Sequence, residues 1–266
     1  MTKFFPFLKI LTVLLSVAVF CFGASSGKAE NPVQPTVLDG SISLSKYKLV
    51  WSDDFPGTQL DTSKWDYRTG SAWWSTQLPG NVSVADGTLR IALKKESVNG
   101  MKYTGGGVIS KKLFKYGFYE ARMKTPRTGG WHSSFWMMKY RGSPKGPNVS
   151  CQELDVIEND SVHPNSYSVN VHRYLGKHVQ LGTKTITTPS LWESFHVYGC
   201  EFTPKTVRFY FDGKLVQTVD VSTFKHGDQN IWLTSLACSL GHTTAVDETA
   251  LPQTVEFRNV RYFAAP

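Results

Sequence analysis

From Leu49 onward the chain is written in short runs where apolar and polar residues alternate, each run closed by glycine, asparagine, aspartate or proline. Alternation with a period of two puts one face of a strand against a core and the other toward water. The segments "VSVADGTLRIAL", "YGFYEARMKT", "YSVNVHRYL", "FHVYGCEF", "TVRFYFDGKLVQTVDV", "NIWLTSLACSL" and "TVEFRNVRYF" carry that pattern. Asp86-Gly87 and Asp212-Gly213 stand between β-branched and aromatic runs, the strongest short-range signal for a two-residue hairpin. No stretch has the apolar spacing of a long amphipathic helix, and no repeat of fixed period is present. Many short strands predict an all-β sandwich or barrel over residues 46–266. The glycine-rich "YTGGGVIS" lies between strands, so a bulge or a close backbone approach explains it better than phosphate binding.

The first residues follow another pattern. Lys3 and Lys9 precede an apolar run from Ile10 to Phe22 and then small residues, which predicts a secretory signal peptide over residues 1–29, cut after Ala29 or Ser26. The apolar run is short for a spanning helix and no later stretch would cross a bilayer, so the mature chain is expected to be secreted, extracellular or periplasmic. Residues 30–45, polar with two prolines, read as a tether to the folded domain. Of the 266 residues 41% are apolar in type, enough for one domain with a substantial core. Losing Lys3, Lys9 and Lys28 takes the formal charge from +8 to +5. That excess suits an acidic polymer or simply a solvated basic surface, and the Lys/Arg residues do not cluster as a nucleic-acid footprint would. Cys151, Cys200 and Cys238 remain after cleavage, and three disulfide pairings, or three buried thiols, stay open.

One strand is chemically unusual. "QELDVIENDS" places Glu153, Asp155, Glu158 and Asp160 among apolar residues. Glu153 and Asp155 share a face, whereas Glu158 would point away unless a β-bulge at Val156-Ile157 restores it, leaving Leu154 and one of Val156 or Ile157 in the core. Two glutamates on one face, with Asp155 between them to hold a proton, fit glycoside hydrolysis with retention: one carboxylate attacks the anomeric carbon and the other, protonated, serves the leaving oxygen. A solvated acidic strand or a calcium ligand set fits the pattern as well, although the glycine of an EF-hand loop is missing. Motifs for zinc proteases, serine hydrolases and nucleotide binding are absent.

Beyond this spacing, "ELDVIE" resembles the E-[ILV]-D-x-x-E signature of glycoside hydrolase family 16, in the bulged form of its laminarinases, agarases and carrageenases. "WSDDF", "NVSVADGTLRIAL", "YTGGGVISKKLFKYGFYEARMKTP", "GGWHSSFWMM", "FHVYGCEFTPKTVRFYFDGKLV" and "VEFRNVRYF" follow in matching order, so the resemblance spans about Leu49 to Phe263. It implies a concanavalin A-like β-jelly-roll sandwich of two curved antiparallel sheets with a glycan cleft on the concave face. It further implies a secreted retaining endo-β-glycanase, acting as a monomer without cofactor on a β-galactan or a β-1,3/1,4-glucan. Glu153 becomes the nucleophile, Asp155 the assisting carboxylate and Glu158 the acid/base, protonated at working pH. Trp131 becomes a sugar platform in the cleft and Trp136 a core residue; His172 and Asn170, which share a face, border the acid/base or are structural; Trp73, Trp74, Asn81 and Ser235 are further cleft candidates.

Three departures stand out. "SAWWSTQLPG" replaces an acidic-aromatic stretch, "WHSSFW" replaces W-P-x-F-W, and Arg258 stands where several members hold calcium through an aspartate, so no metal is expected. Transglycosylation would use the same residues, and a non-catalytic glycan-binding jelly roll is the alternative of a different class.

Overall fold

The computed structural model describes residue 1 and residues 35–37, 39–127, 129–139, 152–174, 177–240 and 244–265. The chain divides into two units, Met1–Asn31 and Pro32–Pro266, and every described strand belongs to the second. Among the described residues the strands are β1 (Lys48–Asp53), β2 (Trp65–Tyr67), β3 (Gly70–Ala72), β4 (Ser75–Gln77), β5 (Val82–Ala85), β6 (Thr88–Val98), β7 (Met101–Ser110), β8 (Gly117–Lys124), β9 (Trp131–Met138), β10 (Gln152–Asp160), β11 (Ser166–Arg173), β12 (Val179–Thr187), β13 (His196–Phe202), β14 (Thr206–Phe211), β15 (Lys214–Asp220), β16 (Asn230–Ala237) and β17 (Gln253–Ala264).

They form two layers. One sheet runs β12-β11-β10-β9-β16-β7, with β2 and the β3-β4 hairpin at its far edge. The other runs β15-β14-β13-β8-β17, with β1 and the β6-β5 pair sharing the far side of β17. Strand β6 passes between the layers: Leu89 to Leu93 pair with β17, and Lys94 to Val98 with β7. Apolar residues alternate inward from both sheets, so that Phe135, Met137 and Leu154 of one meet Tyr119, Tyr198 and Phe257 of the other in a single buried cluster. Each such side chain removed from water contributes about 1.5–3 kcal/mol before entropy is counted. The result is the β-jelly-roll sandwich expected.

Local chemistry explains the joints. Asp86-Gly87 and Asp212-Gly213 each have two consecutive positive φ angles (52° and 66°; 45° and 78°), the backbone of a type I′ hairpin turn. Asn99-Gly100, at 50° and 77°, makes a third between β6 and β7. The glycine run of β7 is a close approach to β16: a Cβ on Gly105 would lie 2.4 Å from the Ser235 carbonyl oxygen. Gly105→Ala is therefore expected to cost about 2–3 kcal/mol, lowering Tm by roughly 5–10 °C for a domain of this size. Thermal denaturation checks it, and an unchanged Tm would mean that the two backbones are not packed so closely.

The described part of the polar N-terminal segment packs against β8, β14 and β17 of the second sheet. Val37 and Tyr47 join Phe118, Tyr210 and Phe263 in a second apolar cluster. The Thr36 amide donates to Glu120 at 2.6 Å, and the Leu215 amide to Asp39 at 2.6 Å. Cys200 and Cys238 are buried free thiols, and Cys151 lies outside the described residues, as do residues 2–29.

Candidate active site

The carboxylate strand has the bulge its sequence requires. Opposite β9, Asp155 faces Trp136 and Ile157 faces Phe135, and opposite β11, Asp155 faces Asn170 while Glu158 faces Ser168. One residue is thus inserted between Asp155 and Glu158, and the alternation resumes with Glu158 on the side of Glu153 and Asp155. Val156 and Ile157 are both buried, where a single core residue was expected, because at a bulge two residues oppose one and both tuck beneath the sheet.

Around this face lies a cleft of about 180 Å³ whose lining includes all three carboxyl groups. Glu158 also borders an adjoining hollow of about 380 Å³, lined by Asp160, His163, Ser166, Ser168 and Thr185. Glu158 therefore borders both hollows. The Tyr174 hydroxyl donates to Glu153 at 3.1 Å. Asn170 donates to Glu158 and is itself held by the Gln180 amide at 2.9 Å. His172 Nε2 lies 3.3 Å from Asp155, and its Nδ1 lies 3.0 Å from His178.

These surroundings divide the protons. Burial first, then the charges of Glu158 and Glu153 and a hydrogen bond to Glu153, push the Asp155 carboxyl well above the ordinary range, so it is the neutral member. Burial would raise Glu158 too, but the hydrogen bond and charge of His132, with Asn170, outweigh it and hold Glu158 below its usual value. These neighbours therefore favour the ionised form of Glu158, whereas the sequence reading has it as the protonated member at working pH. His132 carries the balancing charge. Burial opposes that charge, yet its bonds to Asp160 and Glu158 raise its pKa to about 9.

The walls correct part of the sequence reading. Trp131 is buried in the core against Tyr103, and Trp136 lines the cleft, the reverse of the assignment made by resemblance. Period two correctly groups Trp131 with Ser133 and Phe135, but that group is the core face. Trp136 stacks on Trp232 at 4.6 Å and donates to Thr234 at 3.0 Å. Trp73, exposed on the β3–β4 turn at φ 55°, overhangs the cleft, whereas Trp74 leans on the core. Asn81 and Ser235 are not in the cleft: Asn81 donates to the Gly105 carbonyl at 2.9 Å, and Ser235 meets Ser133 at 2.8 Å in the interior. His172 and Asn170 do reach the carboxylates.

Alternation alone would have found His132 and Trp136 once the core face was known. No spacing rule would have found Arg68, which lies 5.8 Å from the Trp232 ring centre in the same cleft. Burial lowers its guanidinium to about 10 against the pull of Glu153, so it remains a cation at neutral pH. Glu153, Asp155 and His172 bring ligand-type atoms within 4.8 Å of one another, the grouping closest to a metal site among the described residues.

Residues 47–232 match the family described as "Beta-porphyranase A-D, GH16 domain". The chain is 31% identical over 219 residues to a β-glucanase of Rhodothermus marinus, covering 76% of this chain and 71% of the relative. It is 33% identical over 197 residues to β-porphyranase E of Zobellia galactanivorans, covering 65% and 68%. Its fold matches the X-ray structure of the laminarinase from Rhodothermus marinus with a TM-score of 0.72 at 24% identity, over 83% of this chain and 98% of the other. Set beside the bulged carboxylate strand and its groove, these likenesses mean that the chain belongs to glycoside hydrolase family 16 and is an endo-acting O-glycosyl hydrolase.

Proposed function

We propose that the protein is a secreted, retaining endo-hydrolase of an acidic β-galactan. Glu153, as carboxylate, attacks the anomeric carbon while Glu158 gives a proton to the departing oxygen, forming a glycosyl ester. Water then enters, Glu158 takes its proton, and the ester is released with the original anomeric configuration. Retention needs the two carboxyl groups about 5–5.5 Å apart. In its favour, both glutamates lie close enough to Asp155 for their charges to raise its pKa. Asp155 keeps its proton, donates to Glu153 and avoids a third charge on the face.

The galactan reading rests on Arg68. A cation fixed beside Trp232 and within electrostatic reach of Glu153 suits a sugar bearing sulfate or carboxylate better than neutral glucan. The match to the porphyranase domain agrees with it. The second reading, a β-glucan, is favoured by the 31% identity to a β-glucanase. Export is proposed from residues 1–29 alone; no helix among the described residues is long and apolar enough to cross a membrane.

Incubation with porphyran, agarose, carrageenans, keratan sulfate, laminarin and mixed-linkage glucan tests both parts. Oligosaccharides are expected from a galactan, with the β-anomer appearing first by proton NMR. Release from laminarin alone would replace galactan by glucan, and a first-formed α-anomer would overturn the double displacement.

A further inference from the structure

Strand β9 lays His132 directly opposite Asp160 of β10, on the cleft face and two residues from Ser134, which lies opposite Glu158. The ring is almost wholly buried, at 7% exposure, and both of its nitrogens are engaged. Nδ1 is 3.0 Å from Asp160 Oδ1, and Nε2 is 3.4 Å from Glu158 Oε1. Asp160 therefore fixes which nitrogen faces the site, and the other is aimed at a glutamate whose second oxygen is already occupied by Asn170. A proline in this position, as in W-P-x-F-W, has no side-chain proton to offer.

We infer that His132, oriented by Asp160, is a positioning residue that stores the proton Glu158 delivers to the leaving oxygen and receives it back from the hydrolytic water. The inference rests on the reading of Glu158 as acid/base. At rest the pair is imidazolium and carboxylate. A sugar seated over it displaces water and favours the neutral arrangement. The Nε2–H bond breaks, a Glu158 O–H bond forms, and the ring is left neutral with its proton on Nδ1. Glu158 then protonates the glycosidic oxygen as the C1–O bond breaks and Glu153 closes the ester. In the second half, attack of water on C1 breaks the ester, water's proton passes to Glu158, and from there to Nε2. One proton leaves the pair for the glycosidic oxygen and one returns to it from water, so the cycle closes with imidazolium and carboxylate restored.

The groups facing His132 leave room for this. From β10 they are the two carboxylates, Glu158 and Asp160. From β16, on the other side, Leu236 and Thr234 stand opposite His132 and Ser134 and carry no charge. Just beyond them the Cys238 thiol, pushed up to about 11 chiefly by burial, stays neutral. Across Glu158, burial keeps His172 below its ordinary pKa. The His132 value of about 9 agrees with a ring that holds its proton through neutral pH.

A purely structural His132 would not set the pH profile, so the alkaline limb of kcat/KM is the readout, on porphyran or on laminarin if the panel selects it. The wild type is expected to lose activity near pH 9, where the last proton leaves the pair. In His132→Gln, Glu158 alone must hold that proton, and the limb should fall by about two pH units or more, with activity near pH 5 reduced by no more than about tenfold. Asp160→Asn, which keeps the ring but removes the charge behind it, should move the limb down by about one unit. Nitrogen-15 NMR of the ring should show the same fall in the His132 titration. An alkaline limb unmoved in both variants overturns the inference. If His132→Gln does not fold, an unmoved limb and ring titration in Asp160→Asn overturn it equally. Failure of the underlying reading looks different: Glu158→Ala would then show no dependence on the leaving group, whatever His132 does.

Discussion

Glu153→Ala is expected to lower kcat/KM on the polysaccharide by on the order of 10⁴–10⁶-fold while leaving the fold intact. That corresponds to about 5–8 kcal/mol of transition-state stabilisation. The loss is large because nothing nearby can substitute: Asp155 is buried and neutral, and Tyr174 only donates to the missing carboxylate. An aryl glycoside with a 2,4-dinitrophenyl leaving group should be cleaved no better by the variant, since the missing step is attack on carbon and not protonation of oxygen. Added azide should restore turnover by entering the vacated space and yield an α-glycosyl azide, of opposite configuration to the substrate. A β-azide, or full activity on the dinitrophenyl glycoside, would take the nucleophile's role away from Glu153.

Removing that carboxylate also tests how the charges are shared. Asp155 is held neutral by burial and by two glutamates. With Glu153 gone, one charge and one hydrogen-bond acceptor disappear, and the Asp155 pKa should fall toward the ordinary range. The like charge packed into β10 is tolerated because a proton on Asp155 and a cation on His132 divide it, so that the two glutamates face each other across a neutral group.

How much of this is legible in the sequence follows from what a period of two can say. It groups residues by face, and one inserted residue between Asp155 and Glu158 is enough to bring three carboxyl groups together, so the bulge could be read from spacing alone. The hairpins could be read as well, because Asp86-Gly87 and Asp212-Gly213 are among the few pairs that accept two positive φ angles cheaply. Which face of a strand meets the core is a different matter. In "WHSSFW" both faces offer a tryptophan and a serine, and only packing against Tyr103 on one side and stacking on Trp232 on the other separates Trp131 from Trp136. Small polar residues are as ambiguous: Ser235 alternates like a cleft residue but pairs with Ser133 inside the sandwich. Arg68 was out of reach because its neighbours Trp232 and Glu153 are distant in the chain, and a lone arginine before a turn carries no pattern.

Glu158→Ala should behave as the complement of the nucleophile variant. On polysaccharide, whose leaving alkoxide must be protonated, the expected loss is about 10²–10⁴-fold. On a 2,4-dinitrophenyl glycoside, whose leaving group departs as a stable anion, formation of the ester should be nearly as fast as in the wild type. Hydrolysis of the ester then becomes limiting, because no base activates water. A burst of dinitrophenol followed by slow turnover is the expected trace, and azide, which needs no base, should accelerate the slow phase and give a β-glycosyl azide. The split between substrates separates a proton donor from a residue that merely shapes the cleft, since a shape defect would slow both alike. It also bears on His132: with Glu158 gone, that ring loses one of its two carboxylate partners, and its pKa should drop from about 9 toward the ordinary imidazole value. Ring-nitrogen titration of Glu158→Ala would register that drop even where activity is too low to measure. Equal loss on both substrates, with the His132 titration unchanged, would remove Glu158 from the acid/base role and uncouple it from the histidine beside it.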